Sequence, residues 1–136
     1  MSSPRPAQDP PRPGGLTGPI PVQRIESVVI AALALVAALV LYPDRWWMVL
    51  AVFLAFDLSM LGYLRSPAAG AASYNAVHNT WPAIAATVAL LTATSSPAVS
   101  SWCGLLACAW AFHTAFDRAI GAGLKLPDAF GHTHLS

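Results

Sequence analysis

The sequence predicts an all-α fold, a polytopic membrane protein with four transmembrane helices in a small bundle. Three observations predict it. Hydrophobic residues make up 56% of the 136-residue chain and charged residues only 10%, with a mean hydropathy of +0.57, so there is too little charge to coat an ordinary soluble domain. Four apolar runs, residues 25–42, 46–64, 68–91 and 99–120, are each long enough to cross a hydrocarbon core of ~30 Å as a helix. Turn signals separate the runs at Tyr42-Pro43-Asp44, Arg65-Ser66-Pro67 and Ser95-Ser96-Pro97.

Residues 1–23 read as a disordered cytoplasmic tail. Pro4, Pro6, Pro10, Pro11, Pro13, Pro19 and Pro21 alternate there with Gly14, Gly15 and Gly18, and apolar side chains are almost absent. The run after the tail is too long for a cleaved signal and no small-residue cleavage site follows it, so the first helix is expected to stay in the membrane. Residues 24–123 form the expected four-helix transmembrane domain and residues 124–136 a short cytoplasmic C-terminal tail.

The second run carries Asp57 with no basic residue inside the run to neutralise it. A carboxylate at mid-bilayer costs at least ~2.5 kcal/mol, so such a group normally faces a protein interior or a wet cavity. The third run contains Tyr74, Asn75, His78 and Asn79, followed by Trp81-Pro82, where the proline removes a backbone hydrogen bond and is expected to bend the helix. In the fourth run Ala107, Ala111, Ala115 and Ala119 recur every four residues and continue to Gly123, a small-residue ridge that invites close helix approach. Packing inside one bundle explains such a ridge, yet a helix with a second committed face also suggests a homo-oligomer. Cys103 and Cys108 sit five apart on this helix and point in different directions, so no disulfide framework is implied.

Orientation follows from the basic residues. Arg5, Arg12, Arg24, Arg65, Arg118 and Lys125 flank one side and Arg45 alone the other, which places both termini in the cytoplasm and the chain as a multi-pass protein in the cell inner (plasma) membrane. The net charge of +1 gives no reason to expect nucleic acid as a partner. The expected partners are the lipid bilayer and a small lipophilic molecule. Trp46, Trp47 and Trp102 read as anchors at the outer interface.

Measured from the cytoplasmic ends, Asp57 and His113 lie about seven positions deep and His78 about ten, so they can share one layer. Asp117 sits one turn from His113 on the same face, and Tyr74 bears the same relation to His78. Asp57, His78, His113 and Asp117 are therefore the candidate catalytic residues. Glu26, Tyr74, Asn75 and Asn79 complete a polar seam as candidate substrate-binding groups. Plainer roles exist for each: Glu26 favours the positive end of its helix dipole, and the His/Asp pairs can simply staple helices together.

The runs Asp57-Leu58-Ser59-Met60-Leu61-Gly62-Tyr63, Tyr74-Asn75-Ala76-Val77-His78, His113-Thr114-Ala115-Phe116-Asp117-Arg118, Gly123-Leu124-Lys125 and Thr133-His134-Leu135 resemble the DUF4260 family of small bacterial integral membrane proteins. The resemblance covers Glu26 to the C-terminus. It implies a fold and no activity, because the family's function is unknown. The Pro-rich N-terminal extension and Gly131-His132 depart from the family pattern.

The leading functional expectation is an integral-membrane enzyme doing acid-base chemistry, such as isomerisation, cyclisation or hydration, on a small lipophilic substrate. Its basis is that a low-dielectric seam lets a neutral acid and a neutral base coexist at about pH 7. In that reading Asp57 is the acid or base, His78 its partner and His113/Asp117 an orienting couple, with no metal ligand and no identified cofactor. One alternative makes Asp57, His78 and His113 the ligands of a metal-dependent membrane hydrolase, with Asp117 fixing the His113 tautomer. Another is non-enzymatic, a lipid- or quinone-binding protein or a complex subunit. His132 and His134 form too small a set for a metal site by themselves.

Overall fold

The computed structural model describes residues 18–79, 84, 87–88, 91 and 95–135. The expectations for the tail up to residue 17, and for the Trp81-Pro82 bend with most of the later part of the third run, lie outside the described residues. Helix α1 spans Pro19–Leu41. It begins earlier than the expected residue 25 because Pro19 and Pro21 fall in its first turn, where no intrahelical N–H is needed, behind an extended Gly18 cap. Its buried positions are Ser27, Ala31, Ala34 and Ala38, a face of small side chains at helical spacing. That face lies along the last helix, α5, Pro97–Ile120.

The ridge of α5 expected to drive close packing is thus used at least in part within the chain. Ala111, Ala115 and Thr114 share a cavity of about 220 Å³ with Ser27 and Ile30 of α1. At the other end Ala38 packs with Val49, Leu105 and Ala109 in the apolar core. The connection after α1 is pinned to the start of α5: Arg45 Nη2 donates to Ser101 Oγ at 2.7 Å, and the guanidinium lies 4.6 Å from the centre of the Trp102 ring.

The second apolar run is not the single α-helix expected. It divides into α2, Met48–Ala51, α3, Phe53–Phe56, and a 3-10 helix, Asp57–Leu64. A 3-10 stretch of this length is uncommon, because its i→i+3 hydrogen bonds are poorer than those of an α-helix. Here Ser73 Oγ donates to the Ser59 carbonyl at 2.7 Å, taking up an acceptor that an α-helix would give to its own next turn. The same neighbour, α4 (Pro67–His78), comes very close. A Cβ on Gly62 would collide with Ser73 Oγ and lie 2.8 Å from the Ala69 carbonyl oxygen, and one on Gly70 would strike the Tyr63 ring. Helix α4 starts with Pro67 behind Ser66, whose Oγ accepts from the Ala69 N–H at 3.1 Å.

Helix α5 ends at Gly121 with φ +94°. Gly121 N–H donates to the Arg118 carbonyl at 3.1 Å and Ala122 N–H to the Asp117 carbonyl at 2.7 Å, the paired bonds of a Schellman motif. Beyond it the chain is not the plain tail the sequence suggests. It folds back as a short hairpin, with Lys125 bridged to Thr133, Leu126 N–H donating to the His132 carbonyl, and His134 N–H to the Leu124 carbonyl. Thr133 and Leu135 are buried.

The described chain is all-α apart from that bridge. Helices α1 and α5 are long and apolar enough to cross a membrane, with only 17% and 28% of their most apolar windows buried. The core helix of a soluble protein would hide most of that surface; here Val28, Leu33, Val40 and Ile120 stay exposed.

Candidate functional site

Three elements place one polar cluster inside this apolar frame. Asp57 stands where α3 gives way to the 3-10 helix, His78 ends α4, and His113 and Asp117 lie one turn apart on α5. His113 is completely buried and His78 and Asp117 nearly so, whereas the Asp57 side chain is 25% exposed and is the most open member. His78 Nε2 is 3.5 Å from Asp57 Oδ1 and 3.4 Å from Asp117 Oδ2. His113 Nε2 is 3.7 Å and 3.9 Å from the same two oxygens. The two Nε2 atoms face one another at 2.8 Å.

The tautomer of His78 follows from its other nitrogen. Nδ1 lies 2.9 Å from the Tyr74 carbonyl, and a carbonyl only accepts, so Nδ1 carries the hydrogen and Nε2 of the neutral ring presents a lone pair to the cluster. The Tyr74 ring stacks on His78, with ring centres 3.6 Å apart. Phe53 and Phe56 cover His113, with centres at 4.4 Å and 5.1 Å. Trp110 Nε1 donates to the Val77 carbonyl at 2.6 Å and so ties α5 to the last turn of α4 beside His78.

The donor set suits a divalent cation. One ligand atom from each of Asp57, His78, His113 and Asp117 lies within 4.8 Å of every other. Zinc bonds of ~2.0–2.2 Å arranged tetrahedrally require ligand-to-ligand edges of roughly 3.3–3.6 Å. The nitrogen-to-oxygen distances of 3.4–3.9 Å fit with little movement, and the imidazole pair has to open modestly.

The sequence-based site residues separate into two groups. Asp57, His78, His113 and Asp117 come together as expected, and Tyr74 joins them, its hydroxyl donating to Asp117 Oδ2 at 2.7 Å. Asn75 is turned to another use: its Nδ2 donates to the Lys125 carbonyl at 2.8 Å and its Oδ1 accepts the Lys125 N–H at 2.7 Å. Glu26 lies exposed on α1, outside the cluster, because the buried face of that helix is the Ser27/Ala31/Ala34/Ala38 side. Asn79 forms the extended C-cap of α4. Sequence reasoning missed the C-terminal hairpin, whose Lys125 Nζ lies 5.2 Å from the Tyr74 ring centre and 4.7 Å from that of Phe130. At its exposed outer turn His132 Nδ1 is 2.7 Å from Asp128 Oδ2, and this hydrogen bond holds the Asp128 carboxyl below its usual range.

Fold and site together define an all-α chain with membrane-length helices around an interior His/Asp quartet. The chain belongs to the DUF4260 family, a domain of unknown function, whose model matches residues 21–136. Comparison with curated proteins and with solved structures gives no match.

Proposed function

We propose that this protein is an integral-membrane, metal-dependent enzyme that hydrolyses or hydrates a small lipophilic substrate. The observation that carries the reading is the convergence of two imidazole nitrogens and two carboxylates, from three separate parts of the chain, on one interior point. The three most buried members, His78, His113 and Asp117, serve as the ligands. Asp57, the most open, serves as the base. A bound divalent cation would supply Lewis acidity and make water a nucleophile near neutral pH. The Asp57 carboxylate takes the water proton as the oxygen bonds to an electrophilic carbon of the substrate, and returns that proton to the leaving group or adjacent carbon.

A lipophilic substrate fits the surroundings. Phe53, which touches His113, also lines an apolar groove of about 330 Å³ with Leu50, Leu54, Phe112 and Phe116. The full bundle has four spans with both termini cytoplasmic, in the inner membrane. The second span is reasonable despite its length: its α part, residues 48–56, rises ~1.5 Å per residue and the 8-residue 3-10 part ~2.0 Å, together about 30 Å.

A second reading is favoured by one specific detail. Among the described residues His113 Nδ1 is buried without a hydrogen-bond partner, whereas a metal-bound histidine normally donates from its second nitrogen. Without a metal, His113 Nε2–H donates to His78 Nε2 across 2.8 Å, and the quartet is a proton relay suited to isomerisation or cyclisation. Lipid mass spectrometry of cells expressing wild type, Asp57→Asn or empty vector tests the enzyme reading common to both. A lipid species that changes with wild type alone supports it. Identical profiles for wild type and Asp57→Asn would remove it.

A further inference from the structure

We infer that Tyr74 is a positioning residue that makes occupancy of the quartet depend on the C-terminal hairpin. The inference rests on the metal-centre reading above and adds a means of control to it. Tyr74 meets the quartet at three places. Its hydroxyl donates to Asp117 Oδ2 at 2.7 Å, the same oxygen that faces His78; its carbonyl accepts from His78 Nδ1; and its ring stacks on the His78 imidazole. The Tyr74 side chain therefore sets the direction of one carboxylate ligand and the tilt of one imidazole, while the backbone carbonyl of the same residue fixes that imidazole's tautomer. Groups behind ligands in this way hold the first shell in register.

The hairpin meets Tyr74 from the other side. The phenol oxygen lies 3.2 Å from the Ala122 carbonyl at the start of the returning chain, and Lys125 Nζ sits over the ring. Asn75, the next residue, clamps both the N–H and the carbonyl of Lys125. Its amide is thus engaged at both ends with hairpin backbone rather than aimed at a substrate. Phe130 packs edge-on against Tyr63, 5.1 Å between centres, and ties the hairpin tip to the 3-10 helix that begins with Asp57. When the hairpin is docked, the phenol is held against Asp117. When it lifts away, the carbonyl of Ala122 and the lysine leave, the ring can swing, and Asp117 loses its fixed direction.

The test is zinc affinity in detergent by chelator competition, with the visible spectrum of the cobalt-loaded protein as a readout of ligand geometry. Wild type, Tyr74→Phe, Asn75→Ala and the double variant are compared, each checked for helix content and a single size-exclusion peak. Phe keeps the stacked ring and removes only the hydroxyl. Zinc binding weakens about 10-fold or more in Tyr74→Phe, and the cobalt spectrum shifts. Asn75→Ala weakens binding in the same direction and exposes residues 124–134 to protease. Because both act through Tyr74, the double variant binds little worse than Tyr74→Phe alone.

Wild-type affinity and spectrum in a folded Tyr74→Phe protein would overturn the inference while leaving the metal centre intact. Fully multiplicative losses in the double variant would overturn the coupling to the hairpin. If wild type itself binds neither zinc nor cobalt, the metal reading fails and this inference falls with it.

Discussion

At the scale of single residues, the quartet divides by exposure. His78, His113 and Asp117 are enclosed, and Asp57 is the most open member. Asp57→Asn is expected to keep helix content and bound zinc, since three ligands remain, while the product difference in cells disappears because an amide cannot accept the proton. Metal analysis alongside the lipid assay checks both halves; turnover surviving in Asp57→Asn would remove the base role. The four members were legible in the sequence because each is expensive in an apolar helix and spacing put Asp57, His78 and His113 in one layer with Asp117 one turn from His113. Two of the companion assignments were less legible. The face of α1 that turns inward is chosen by Ala31, Ala34 and Ala38, which leaves Glu26 outside, and Asn75 finds its partner 50 residues away in a segment with no strong pattern.

At the scale of elements, close backbone approach is the recurring device. Gly62 lets the 3-10 helix lie against α4, so Gly62→Ala is expected to lose about 1–3 kcal/mol through forced displacement of Ser73 and the Ala69 carbonyl. A reversible denaturant titration in micelles reads this, and an unchanged midpoint would contradict it. Ala38 is fully buried between α1 and α5, and Ala38→Leu is expected to overpack that contact by a similar amount, again read as a lower midpoint. The starts of α4 and α5 were visible beforehand, since Pro67 and Pro97 mark them in the sequence, whereas α1 starts six residues before the expected point. The conversion of residues 57–64 to a 3-10 helix was not. It is accompanied by a tertiary hydrogen bond from Ser73 to Ser59, and an apolar run by itself does not distinguish the two helix types.

At the scale of the whole molecule, α1 and α5 are long and apolar enough to cross a membrane and keep much of their apolar surface exposed, and the proposed orientation, both termini inside, rests on the sequence count of six basic residues against one in the flanks of the four runs. With Cys103 and Cys108 replaced, a single cysteine at position 10 is expected to react with an impermeant maleimide only after the cells are opened; labelling of intact cells would reverse the topology. The central claim is that His78, His113 and Asp117 hold one divalent cation beside Asp57. Elemental analysis of protein purified without added metal and then dialysed against trace zinc tests it most directly, with the His78→Gln/His113→Gln double variant beside it. Close to one zinc-class ion per wild-type chain, and almost none in the variant, is the expected result. A wild-type protein that is folded and carries no more metal than the variant would contradict it and leave the imidazole pair as a proton relay.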